Sequence, residues 1–205
     1  MKKNNNNKVF LSGKISSGFA YSHKKFGERF YKLDLMVKRR SGYEDWVPLM
    51  VSERLMDVTQ DYEGEYIQVN GEFRSYNFHN GNRNRLILTV FAQELKFAEE
   101  GDPIEINEIV LDGYICRQPV YRKTPLGREI ADFLLAVNRP YGKSDYIPCI
   151  CWGRNARYAS SFEVGKHILI SGRIQSREYL KRYSETDREV RTAYEVSINK
   201  MEEKE

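Results

Sequence analysis

Shifted by 100 residues against itself, this 205-residue chain superposes Asn7 to Met50 on Asn107 to Ile150 without a gap. Twelve positions in that span are identical, Leu11, Gly13, Leu35, Arg39 and Asp45 among them, where ordinary residue frequencies give about three. After a one-residue insertion, GEYIQVNGEFRS from Gly64 aligns with GKHILISGRIQS from Gly165. A duplicated chain must build one small unit twice. The expected division is an Asn-rich, disordered start at 1–7, a first domain at 8–98, a charged linker at 99–104 and a second domain at 105–202.

Each half carries the same series of signals. An alternating apolar run is followed by a polar turn, a second run opened by Gly27 or Gly127, and a tight hairpin (KRRSGYED; NRPYGKSD). A third run begins at Trp46 or Tyr146. Then come a stretch of helical character (SERLMDVTQDYEG; GRNARYASSFEVG), a fourth run holding Gly71 or Gly172, and a fifth run. Five strands with one short helix between the third and fourth is the element order of a small closed barrel. The sequence therefore predicts an all-β chain of two tandem OB-fold five-stranded barrels, with one short helix per repeat. The polar stretch SYNFHNGNRNR after the fourth run of the first half reads as a mobile loop.

Composition narrows the function. A hydrophobic fraction of 40% with 30% charge is globular, and no apolar run reaches the ~20 residues of a membrane span. Three cysteines cannot all pair within one chain, which points to a reducing cytoplasm. Cys149 and Cys151 share one parity with Ile147 and read as buried rather than as metal ligands. His23, His79 and His167 have no acid and nucleophile at catalytic spacing, so neither an enzyme nor a cofactor or metal is expected. The net charge of +4 is mild, whereas 13% aromatic residues, fourteen of them tyrosine, is an excess.

Alternation sorts the strands of the second half. Ile168, Ile170, Gly172 and Ile174 fall on the inward set, and Arg173, Gln175, Arg177 and Tyr179 on the outward one. Tyr146, Pro148, Ile150 and Trp152 form the outward set of the third run. Aromatic rings beside arginines suit single-stranded nucleic acid, because unpaired bases stack on rings while cations meet phosphates. The same residue types also mark protein interfaces.

These residues also carry a resemblance. NEIVLDGYICRQPVYRKTPLGREIADFLLAVNR, YIPCICWGRNA and GKHILISGRIQSREY occur in this order, and the second half resembles the bacterial single-stranded-DNA-binding (SSB) protein family. The resemblance implies an OB barrel that coats single-stranded DNA without sequence preference. Matched by position, it places base-stacking aromatics at Tyr141, Tyr146, Trp152 and Tyr179, and basic contacts at Arg122, Arg154 and Arg177; Arg173 joins them as a phosphate contact. The first half is similar but diverged: Ser52 stands in place of Trp152, Glu72 of Arg173 and Tyr76 of Arg177. Its expected stacking residues are Trp46, Phe78, Tyr43 and Tyr76, with Arg74, Arg83 and Arg85 as phosphate contacts.

Family members with one barrel per chain form tetramers, so the resemblance implies a homodimer with four barrels, joined through the first strand and outer sheet edges. The acidic tip with which such proteins recruit replication partners has no counterpart in KMEEKE, so that role is not expected. Single-stranded RNA binding and a primosome-like protein-interaction module are the other classes open to this pattern.

Overall fold

The structure, a computed structural model, describes residues 6–80, 83–102, 105–182 and 188–204, the side chains of 79, 80, 83 and 84 excepted. The first repeat forms β1 (Asn7–Ile15), β2 (Ala20–Lys25), β3 (Glu28–Lys38), β4 (Glu44–Ser52), β5 (Tyr66–Asn80) and β6 (Arg83–Phe97). The second forms β7 (Ile106–Lys123), β8 (Glu129–Arg139), β9 (Lys143–Trp152), a short helix α1 (Arg154–Ala159), β10 (His167–Arg182) and β11 (Arg188–Glu203).

Each repeat closes on itself. β1 pairs with both β3 and β5, β5 with β6, β6 in parallel with β4, and β4 with β3. β7, β8, β9, β11 and β10 close the second ring in the same order. Inward positions are fully apolar: Leu11, Leu35, Leu49, Leu111, Leu135 and Ile147 are buried completely. Closure bends β5 and β10 at bulges beside Gly71 and Gly172. There a Cβ would strike the Phe91 and Ser197 carbonyls, so only glycine lets the strands approach.

The barrels join through their first strands. β1 runs antiparallel to β7 from Asn7↔Leu111 to Ser12↔Ile106. Val9 pairs with Ile109, its own counterpart in the repeat, so a local two-fold axis passes through that pair. As β1 turns away to meet β7, the Asn7 side chain takes over its hydrogen bonds, donating to the Phe73 carbonyl (2.8 Å) and accepting from its N–H (2.9 Å). Asn107 does the same for Ile174 at 2.7 and 2.8 Å. Asn7, expected to close a disordered start, thus opens β1.

Three expectations are corrected. The stretch after β4 is a series of turns, not a helix: Asp57 and Asp61 accept hydrogen bonds from the N–H groups of Thr59 and Glu63, and such local bonds compete with a helix. α1 forms in the second repeat because Ala156 and Ala159, three apart, are buried against the barrel. Residues 75–80 and 83–85 of the stretch expected as a loop are strand, since β5 and β6 pair out to Asn80↔Arg83 as a long ribbon. The first strand is also no free edge for a second copy, because β1 and β7 pair with each other inside the chain.

Candidate nucleic-acid interface

The hairpins that connect β3 to β4 and β8 to β9 lock the barrels together. Arg39 donates two hydrogen bonds to Asp45, both 2.6 Å, and Asp45, fully buried, accepts from Ser176 of the other barrel. Arg139 and Asp145 form the same pair and hold Ser75 of the first barrel. In this way β4 is brought beside β10 of the other barrel, and a cleft opens between the repeats.

That cleft has a volume of about 490 Å³. Four cations line it, Lys32 and Arg85 from the first repeat and Lys181 and Arg191 from the second. Three tyrosines line it as well: Tyr76, Tyr179 and Tyr194. No carboxylate is among its lining residues. Burial pushes the Tyr194 hydroxyl up to about 12, with Asp34 raising it further and Arg85 opposing. Tyr76 is raised by the same burial, again opposed by Arg85, so one guanidinium serves both rings. Arg85 and Lys32 form no ion pair with a described carboxylate, whereas Arg191 is shared with Glu189 at 2.8 Å.

The cleft unites Tyr76, Arg85 and Tyr179 of the residues singled out from sequence, and adds Lys32, Lys181, Arg191 and Tyr194. These four sit on three strands, β3, β10 and β11, at spacings that carry no local motif. A hint was present in Arg39 and Asp45, identical to Arg139 and Asp145, which are the residues that place the cleft.

The other candidates are distributed around it. Tyr146 and Trp152 stand exposed on β9, and Trp46 on β4. Tyr141 occupies a one-turn 3₁₀ segment before β9, at φ 66° and 89% exposed. Phe78 is half exposed on the β5–β6 ribbon, beside Arg85 in the pairing. Tyr43 is half exposed, but the Arg39 guanidinium sits 4.4 Å from its ring centre and covers one face. The side chains of Arg83 and His79 lie outside the described residues.

The arginines fall into two groups. Arg154 is exposed at the start of α1 and, like Arg85, makes no ion pair with a described carboxylate. Arg177 lies 3.5 Å from Glu195. Arg122 donates twice to Asp132, at 2.7 and 3.0 Å, and Arg74 twice to Glu72 while lying 4.1 Å from the centre of Phe91. Arg173 is half-buried at the repeat junction, where burial and Arg39 lower its pKa. Two residues of the outward set are covered rather than open. Gln175 is buried and donates to Glu195 at 2.8 Å, and Ile150 is buried although it belongs to the outward set.

With this geometry in place, the comparisons are specific. The single-strand binding protein family model matches residues 106–203. The second barrel carries that family's pattern. The match starts at the first residue of β7 and ends at the last of β11, so it spans the whole closed unit. Single-stranded DNA-binding proteins of Halalkalibacterium halodurans and Bacillus subtilis are 37% and 36% identical, each over 36% of this chain. The chain spans about half the length of these curated relatives, 48% and 47% respectively. The crystal structure of the wild-type single-stranded DNA binding protein from Thermus aquaticus superposes on 97% of this chain and 93% of its own, with a TM-score of 0.73 and 22% identity. That likeness is one of fold. It extends over both barrels, beyond the single-strand binding match in sequence. No helix among the described residues is long and apolar enough to cross a membrane.

Proposed function

We propose that this chain is a tandem two-barrel member of the SSB family that binds single-stranded DNA without sequence preference, the strand lying in the cleft between the repeats. The observation that carries the reading is the cleft itself, with four cations, three tyrosines and no carboxylate among its lining residues. Stacking on rings gives affinity without regard to base identity, at about 1–3 kcal/mol per base, and phosphate contacts add a salt-dependent term. Each domain is one barrel, β1 to β6 in the first and β7 to β11 in the second. From the cleft the strand continues over Trp152, Tyr146 and Tyr141, with Arg154 and Arg177 on its phosphates. In the first barrel it meets Trp46, Tyr43 and Phe78, and this barrel binds less tightly because Ser52 replaces Trp152. Two copies associate into a four-barrel dimer, and light scattering measures that state.

Trp46 and Trp152 are the two tryptophans of the chain, so their fluorescence reports binding. Titration with oligo-dT, oligo-U and duplex DNA at about 50 mM and about 200 mM salt tests the reading. Strong quenching by oligo-dT that weakens with salt is expected. An equal response to oligo-U would replace it with single-strand binding of either sugar, and no response would leave a protein-interaction module.

A further inference from the structure

The cleft does not end at Tyr76. A second one, of about 410 Å³, shares Met50, Tyr76 and Thr89 with it, so the two run into one another on the first barrel. The second is lined further on by His23, Lys25 and Phe30 and leads towards the turn between β2 and β3.

At that turn Phe26 and Gly27 have φ of 50° and 85°, and Lys25 pairs with Glu28 across them. Two successive positive φ values make the tight mirror-image hairpin turn, for which Asn-Gly is the unstrained sequence. A bulky side chain at positive φ is strained. Phe26 is also 95% exposed, so no packing offsets that strain. Neither turn chemistry nor burial explains a phenylalanine here.

The surroundings suit a nucleic-acid strand. Lys24, Lys25 and Arg29 are exposed on the same hairpin, and Lys25 Nζ lies 5.4 Å from the Phe26 ring centre. His23 is exposed, and its ring lies flat over buried Phe30 at 5.0 Å between centres and 12° between planes. In the second barrel Ile130 holds the place of Phe30 and pairs with Trp152, whereas in the first Phe30 pairs with Ser52. The open aromatic surface has moved from the end of β4 to the β2–β3 hairpin.

We infer that Phe26, with His23 on the same hairpin, is a base-stacking station of the first barrel for an unpaired nucleobase of the strand leaving the inter-repeat cleft. The inference rests on the single-strand reading above. Its test is Phe26→Asn, which installs the unstrained turn. The melting temperature should stay level or rise, and affinity for oligo-dT should fall by about five- to a hundredfold, the range for one lost stack. A second variant, Phe26→Trp, should show quenching by oligo-dT beyond that of the unaltered chain. Unchanged affinity in Phe26→Asn, or no added quenching in Phe26→Trp, overturns the inference while the single-strand reading stands. A wild-type chain that ignores oligo-dT in the same titration overturns the reading itself.

Discussion

Asp45 of the first barrel accepts hydrogen bonds from both the backbone N–H and the hydroxyl of Ser176 in the second, at 2.7 and 2.9 Å. Asp145 receives the Ser75 N–H in return, so each hairpin carries an arginine–aspartate pair that seats a serine of the other barrel. Breaking a buried pair strands its partner. Asp45→Ala should therefore destabilise the chain by about 3–5 kcal/mol, measured by urea unfolding, and weaken oligo-dT binding by loosening the cleft. A loss under about 1 kcal/mol would mean that the barrels are held by the β1–β7 pairing alone.

The two groups of arginine should separate in their salt dependence. Arg85 has no carboxylate partner among the described residues, so Arg85→Ala should lower the slope of log affinity against log salt by about 0.7. Arg122 is already engaged by Asp132, and Arg122→Ala should leave the slope nearly unchanged. The reverse order would move the phosphate path away from the cleft and onto the outer wall of β7 and β8.

Trp152 and Trp46 stand at different ends of their strands, and Ser52, which holds the place of Trp152 in the first barrel, is buried and donates a hydrogen bond to Glu28. Trp152→Ala should weaken oligo-dT binding more than Trp46→Ala, each by up to about a hundredfold. Equal or inverted losses would contradict the ranking of the two barrels.

Burial raises the Cys151 thiol to about 12 and pushes Cys149 well above its ordinary value of 9.0. Both are neutral in the fold and ionise more readily once unfolded. Their contribution to stability is whole below about pH 9 and is lost as pH rises towards about 12, through the folded-state value. The melting temperature should be level up to about pH 9 and fall above it, and Cys149→Ala with Cys151→Ala should flatten that fall. A thiol reagent that labels Cys149 and Cys151 as fast in the native chain as in denaturant would contradict their burial.

What the sequence made legible was whatever depends on one strand at a time. The Ile168, Ile170 and Ile174 set is buried as alternation implies, and the family motifs fall on β7 to β10. Alternation says which side of a strand a residue faces, not what else packs on that side. Gln175 and Ile150 face outward from the barrel wall and are buried all the same, Gln175 next to the serine on which the other barrel's hairpin docks. The β5–β6 ribbon reads as a loop in sequence because Tyr76, Asn77, Phe78 and Arg85 are exposed, which removes the apolar alternation that betrays a strand. Lys32 meets Lys181, Arg191 and Tyr194 only because the two barrels dock on each other, a relation that no spacing along the chain encodes. Phe26 carries no signal in sequence for a related reason, since its conformation, not its type, is what sets it apart.

The most direct test of the central claim is photocrosslinking of the whole chain to an oligo-dT carrying 5-iodo-deoxyuridine, with the joined peptides mapped by mass spectrometry. A strand lying between the barrels should crosslink to Tyr76 of the first and to Tyr179 or Tyr194 of the second. Crosslinks that spare all three tyrosines and fall on the outer walls of the barrels would contradict it.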